Sequence, residues 1–399
     1  MMQILKRAQL IESLGLDSMN QFERLFSIVM LFFAFSMILS VAIFQICCGA
    51  LVLVWLIRWT LDPQYRYHIS PLDIPILLLV CGRVISVGLS THPDTSIAFL
   101  WKELPFYAVY FALSQNLGVR NTRYMKALIW ALIGGGFIGA LYGIHLHVVT
   151  GFEERAKSIT SGYMTLSMFL CALVTLLLPL VEHLARRRWI LWGCLAILFV
   201  ALLATLGRTH IALGVLAILA YSALRYRMLF VAFPAIFAIS LMISPGFRER
   251  ASTVLSLNAS NDGDRGVLTR DALEKVTTHP LFGYGPYTFP FIFSHYHEVN
   301  DNKISGWHDD FLQIYLESGM LALGSFVWIV VLSLRMAVKQ VSFRSRSWES
   351  DLGFALTGFM IVFYLSAFLG ASAFDPITAQ LHRFGLAACA SLGSGLSKT

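Results

Sequence analysis

Apolar runs long enough to cross a bilayer recur along almost the whole chain, and they limit its possible folds more than any other feature. A helix needs roughly 17–25 apolar residues to cross the hydrocarbon core, and only helices and closed barrels satisfy their backbone polar groups there. The runs are continuous, unlike the alternating segments of about ten residues that build a barrel. Of the 399 residues, 57% are hydrophobic and 13% charged, about half the roughly 25% charge of a soluble domain. The expectation is an all-α, polytopic membrane protein with about twelve transmembrane helices.

Because the runs repeat, none reads as a lone cleavable signal. The first begins near Phe26, behind a polar segment from Gln3 to Arg24, so the N-terminus is expected to be uncleaved and cytoplasmic. Residues 26–57 suit two short spans joined by a turn near Gln45 to Gly49. Further spans are predicted over 72–90, 98–116, 126–148, 161–182, 189–206, 210–224, 228–244, 310–334, 352–373 and 377–395. Three regions follow: a bundle over 1–243, a large outer loop with short helices over 244–309, and C-terminal transmembrane helices over 310–399.

Orientation comes from the excess of Lys and Arg in cytoplasmic loops. Arg58 and Arg66, then Arg120, Arg123 and Lys126, Arg186 to Arg188, Arg225 and Arg227, and Arg335, Lys339, Arg344 and Arg346 occupy alternate loops. Both termini are thereby expected in the cytoplasm, and the segment from Ser244 to Trp307 outside. These loops account for the net charge of +7 without a nucleic-acid partner. The six cysteines all fall in apolar stretches; they read as core residues, with no disulfide framework or metal site. No soluble nucleotide-binding domain is present, which argues against an ATP-driven pump or a nucleotide-sugar enzyme.

The outer segment has structure signals of its own. A polar loop from Asn258 to Gly266 leads into an amphipathic run, Val267 to Val276, expected to form a helix capped near Asp264. His279 and Pro280 end it, and Gly283-Tyr284-Gly285-Pro286 makes a turn. His295 and His297 read as a solvated loop, and Gly134 to Gly136 as close helix packing.

The outer face is unusually basic, with Arg155, Lys157, Arg208, His210, Arg248, Arg250, Arg265, Arg270 and His308. Such a set suits an anionic ligand, and the planar fork of Arg matches diphosphate oxygens with paired, charge-assisted hydrogen bonds. Arg208 lies in a short hairpin, Leu206 to His210, held at the membrane surface. Arg265 starts the outer helix, and Arg270 is a further candidate on it. His308 opens the stretch WHDDFLQIYLESG, where the chain re-enters the membrane. Its imidazole can take a proton from a sugar hydroxyl near neutral pH, with Asp309, Asp310 or Glu317 as candidate orienting groups.

These residues together resemble the O-antigen ligase family, within the group that includes O-antigen polymerases and protein O-oligosaccharyltransferases. The similarity lies in an Arg before an outer helix (Arg265), the turn His279-Pro280-Leu281-Phe282-Gly283-Tyr284-Gly285, and His308 followed by Gly319. Arg208 looks like the family's first essential Arg. The pattern departs after the His, where Asp309 stands in place of the usual Asn, Ser or Gln, and at Ala322.

The resemblance implies glycan transfer from undecaprenyl diphosphate at the periplasmic face of the bacterial inner membrane, inverting and without metal or cofactor. Arg208 and Arg265 would bind the diphosphate and His308 would deprotonate the acceptor, with Lys102 and Asp375 in support. A ligase acting on lipid A-core is the leading expectation, since a chain of 399 residues is compact beside the protein-glycosylating relatives. The alternatives are a polymerase using the same donor and, from another class, a transporter or flippase. The last would place ionisable residues and broken helices near the membrane midplane.

Overall fold

The computed structural model describes residues 19–117, 121–184, 188–225, 229–243, 245, 248, 263–296, 306–342, 345–370 and 374–393, without the side chains of 229 and 263–265. The N-terminal segment, the loop over 251–262, Arg120, Arg186, Arg187, Arg227, Arg250, His297, Arg344 and the Arg265 side chain therefore lie outside the described residues.

The described residues are helical, with no strand among them. In chain order the helices are α1 (Gln21–Ser36), α2 (Val41–Leu61), α3 (Asp73–Gly88), α4 (Pro93–Asn116), α5 (Thr122–Val149) and α6 (Tyr163–Leu177). There follow α7 (Arg188–Ala204), α8 (Arg208–Leu224), α9 (Leu229–Ile243), α10 (Gly263–Lys275), the short α11 (Phe289–Ile292), α12 (Asp310–Val338), α13 (Trp348–Leu369) and α14 (Pro376–Gly393). Five spans are long and apolar enough to cross a membrane: Val41–Leu61, Thr122–Val149, Tyr163–Leu184, Asp310–Val338 and Trp348–Leu369. With the shorter apolar helices between them, these make the chain a multi-pass membrane protein.

The first hairpin turns earlier than its apolarity suggests. The Asn20 side chain accepts a hydrogen bond from the Glu23 amide while the Glu23 carboxylate accepts one from the Asn20 amide, a capping box that starts α1 before the apolar run does. Ser40 caps α2 through the Ile43 amide. The turn thus falls between Ser36 and Val41, and Cys47 to Gly49 lie inside α2.

Span Tyr163–Leu184 is the central post, with 94% of its apolar window buried inside the protein. The triple glycine of α5 is a packing device: a Cβ on Gly135 would run into the Phe35 carbonyl of α1, and one on Gly136 would sit 2.5 Å from Leu173 of α6. Four of the cysteines are buried; Cys81 is exposed on the side of α3.

Tertiary hydrogen bonds define two ends of the bundle. At one end Arg58 bonds Glu23 and Asn116, and Arg225 pairs with Asp351. There too His183 bonds Asp351 and Arg346 bonds Glu182, so the basic loops gather there. At the opposite end the Val41 amide donates to Thr160, the Ala156 amide to Ala204 and the Thr165 hydroxyl to Asp375. Arg155, Lys157, Arg208 and Asp375 belong to this second end.

Candidate active site

The site is built around a break in α12. Gly319 has φ 72° and ψ −167°, so Asp310 to Ser318 form one helical piece and the rest another. Such a break frees backbone groups that a buried site must satisfy. The turn from His279 to Gly285 does so. The Tyr284 amide donates to the Leu316 carbonyl at 2.8 Å, the Gly285 amide to Glu317 at 3.0 Å, and the Met320 amide to Pro280 at 2.9 Å. The Ser86 hydroxyl of α3 adds a bond to the Glu317 carbonyl at 2.5 Å.

This docking explains the turn's glycines. Gly283 (φ 68°) and Gly285 (φ 109°) have left-handed backbones, and a Cβ on Gly283 would lie 2.5 Å from the Leu316 carbonyl oxygen. The turn is held from its other side by the α3–α4 connection. The Thr91 amide and Ser90 hydroxyl donate to the Tyr284 carbonyl, and the Ser96 hydroxyl donates to Pro286.

His308 sits just ahead of the first piece of α12, itself in the left-handed region at φ 54°. Its neighbour Trp307 is 3% exposed and packs edge-on against Phe289 and Phe293, at centroid distances of 4.9 and 5.7 Å. Asp309 caps the helix by accepting from the Leu312 amide at 3.0 Å. Burial pushes its carboxyl up, against the pull of the amides it caps. The departure at this position is thereby understood: Asp, Asn and Ser are near-equivalent N-caps. At the other departure Ala322 is fully buried, and a Cβ on Gly82 of α3 would lie 3.3 Å from it.

Helix α10, which carries Arg265 and Arg270, packs against the start of α12. Leu268 and Ala272 join Trp307, Tyr315 and Leu316 in one apolar cluster, and the Tyr315 hydroxyl bonds the Val276 carbonyl. Arg270 is exposed on this helix. Asp271 is held by Lys275 at 2.7 Å.

Arg208 is the first residue of α8 and is exposed, and Gly207 before it offers no side-chain cap. An uncapped helix start and a guanidinium together suit an anion. Two residues on, His210 is buried and bridges Ser167 of α6 and Ser366 of α13, each at 2.7 Å. Phe368 of α13 then meets Phe311, in the first turn of α12, at 6.1 Å. Through these helices Arg208 is linked to the His308 segment. Asp375 has a framework role: one oxygen accepts from the Ile377 and Thr378 amides, the other from Thr165. Lys102 is exposed on α4, its ammonium 4.8 Å above the Phe99 ring.

The sequence reading missed a buried ionic cluster beneath the break. Arg83 of α3, 1% exposed, meets Glu103 of α4 at 2.6 Å and Glu317 of α12 at 3.3 Å. Tyr107 donates to the second Glu103 oxygen and Gln313 to the second Glu317 oxygen. The signal available in the sequence was an Arg inside an apolar run, costly in a membrane unless partnered. Glu317 therefore orients the broken helix through Arg83. Removing one partner of a buried ion pair costs roughly 3–5 kcal/mol. Arg83→Met should accordingly lower the thermal unfolding temperature in detergent markedly, and R83M/E103Q/E317Q should regain most of the loss. An R83M protein that melts like wild type would contradict this role.

Among the described residues, no three His, Cys, Asp or Glu side chains group as metal ligands. Residues 193–327 match the family model described as O-antigen ligase. That window runs from α7 to the middle of α12 and includes Arg208, Arg265, the docked turn, His308 and Gly319. No curated protein matches the chain.

Proposed function

From the O-antigen ligase family region that the chain carries over residues 193–327, we propose that it is a ligase transferring polysaccharide from undecaprenyl diphosphate to lipid A-core. It works at the periplasmic face of the inner membrane, with both termini cytoplasmic. The observation that carries this reading is the docking of the His279–Gly285 turn into the α12 break, which fixes the helical piece headed by His308 at the end opposite the basic loops.

In this reading His308 takes the proton of the acceptor hydroxyl as its oxygen attacks the anomeric carbon. The carbon–oxygen bond to the diphosphate breaks with inversion, and its electron pair leaves on the lipid carrier. Arg208 and Arg265 bind the diphosphate and stabilise the charge that develops on it, a preorganised electrostatic role. Arg270 and Lys102 are further cations for the substrate, and Asp375 supports the frame. No metal or cofactor takes part, because the diphosphate is already an activated leaving group.

The test supplies purified wild-type protein with undecaprenyl diphosphate-linked glycan and lipid A-core. A glycolipid whose mass is the sum of glycan and core is the expected product. Extension of the donor glycan in its place would make the enzyme a polymerase. Movement of the donor across a vesicle bilayer with no new glycosidic bond would make it a flippase, a rival to which the break and the buried Arg83 cluster lend some support.

A further inference from the structure

A lateral cleft of about 870 Å³ opens between α2, α4 and α14. Its size and mainly apolar lining suit a small amphiphile. Leu53, Leu56 and Trp101 on its rim are exposed large hydrophobics, so in a membrane the cleft faces lipid.

Its deep wall is charged. Arg383 of α14 is 8% exposed, yet its Nη1 has no hydrogen-bond partner among the described residues. Its guanidinium lies over the Tyr107 ring at 4.6 Å. A buried cationic donor without an acceptor is costly, and here it lines an open cleft beside the cation Lys102. Glu103 also lines the cleft, but its carboxylate is already taken by Arg83 and Tyr107. Arg83 is shared with a second carboxylate, Glu317, so the two acids balance Arg83 and Arg383, and Lys102 leaves the lining one positive charge. Tyr287 ties the cleft to the active-site turn: it follows Pro286 directly, lines the cleft and stacks on Phe99 at 4.1 Å.

We infer that this cleft binds a membrane lipid with a phosphorylated head, Arg383 acting as a ligand of the phosphate and the apolar rim receiving the tail. The inference rests on the proposed function, which supplies lipid phosphates as substrates, and it adds a binding residue and an entry side to that reading.

The test titrates the purified full chain in detergent with dodecyl phosphate and counts retained adducts by native mass spectrometry, with dodecanol and inorganic phosphate as comparison probes. Dodecyl phosphate should saturate one site, and both comparison probes should bind at least about tenfold more weakly. Arg383→Gln should weaken dodecyl phosphate about tenfold or more, the loss expected for a charge-assisted hydrogen bond. Gly49→Phe fills the cleft from the opposite wall, where an added Cβ meets nothing within 4 Å, and should reduce binding to a similar degree without removing a charge.

Wild-type affinity in G49F would overturn the proposal, and this holds even if R383Q does not fold. Inorganic phosphate binding as tightly as dodecyl phosphate would overturn the lipid part, and dodecanol doing so would overturn the phosphate part. Failure of the proposed function is read separately: a chain that binds dodecyl phosphate through Arg383 but transfers no glycan keeps the cleft and loses the ligase.

Discussion

Gly319→Ala is expected to lower glycan transfer more than tenfold while leaving a chain that still inserts in the membrane. Two effects combine. Alanine at φ 72° and ψ −167°, a region open essentially only to glycine, costs about 1–3 kcal/mol, and its Cβ would collide with the Leu281 carbonyl of the docked turn. That neighbour is backbone and cannot swing away, so the turn has to undock. With it go the three cross-bonds made by Tyr284, Gly285 and Met320, worth about 1 kcal/mol each. A drop of several degrees in unfolding temperature and a fall of more than tenfold in transfer should follow. Gly324→Ala, in the same helix, is the control. Its Cβ would meet nothing within 4 Å, and alanine is the better helix former by about 1 kcal/mol. It should be neutral or stabilising; if G319A behaves the same way, the break is not what holds the site.

The break at Gly319 was only half legible in the sequence. The spacing from His308 to Gly319 could be seen in one dimension, but its physical meaning needed three. The His heads a short helical piece, the glycine ends it, and the turn more than thirty residues upstream of Gly319 fills the gap. Read alone, Gly283-Tyr284-Gly285 is a turn and nothing more, because the carbonyls it satisfies belong to a distant segment. Asp309 looked like a departure from a pattern, yet position and chemistry make it a helix cap.

Helix existence was the easier part. Continuous apolar runs dictate it, and each predicted stretch contains a helix. Boundaries were lost where polar caps, such as Asn20 with Glu23, start a helix ahead of its apolar run. Arg83, Glu103 and Arg383 escaped for another reason. Attention to the ends of spans finds residues that meet the headgroups, while these three act from within the bundle. Their partners lie on other helices, out of reach of any periodicity within one segment. Asp375, by contrast, was found at a boundary, and the structure gives it the ordinary work of a boundary residue, capping α14 and tying it to α6.

In the proposed reaction His308 is the base. Substituting it removes the proton acceptor while Trp307 and Asp309 still anchor the loop and cap α12. General-base catalysis contributes roughly 10²–10⁴-fold, so His308→Ala should lower transfer by at least about a hundredfold. The diphosphate is assigned to Arg208 and Arg265, which H308A leaves in place, and donor binding should persist. The decisive measurement is single-turnover transfer by purified H308A, with donor saturation measured in the same preparation. A donor-loaded enzyme that forms almost no product is expected. Wild-type turnover by H308A would contradict this role of His308.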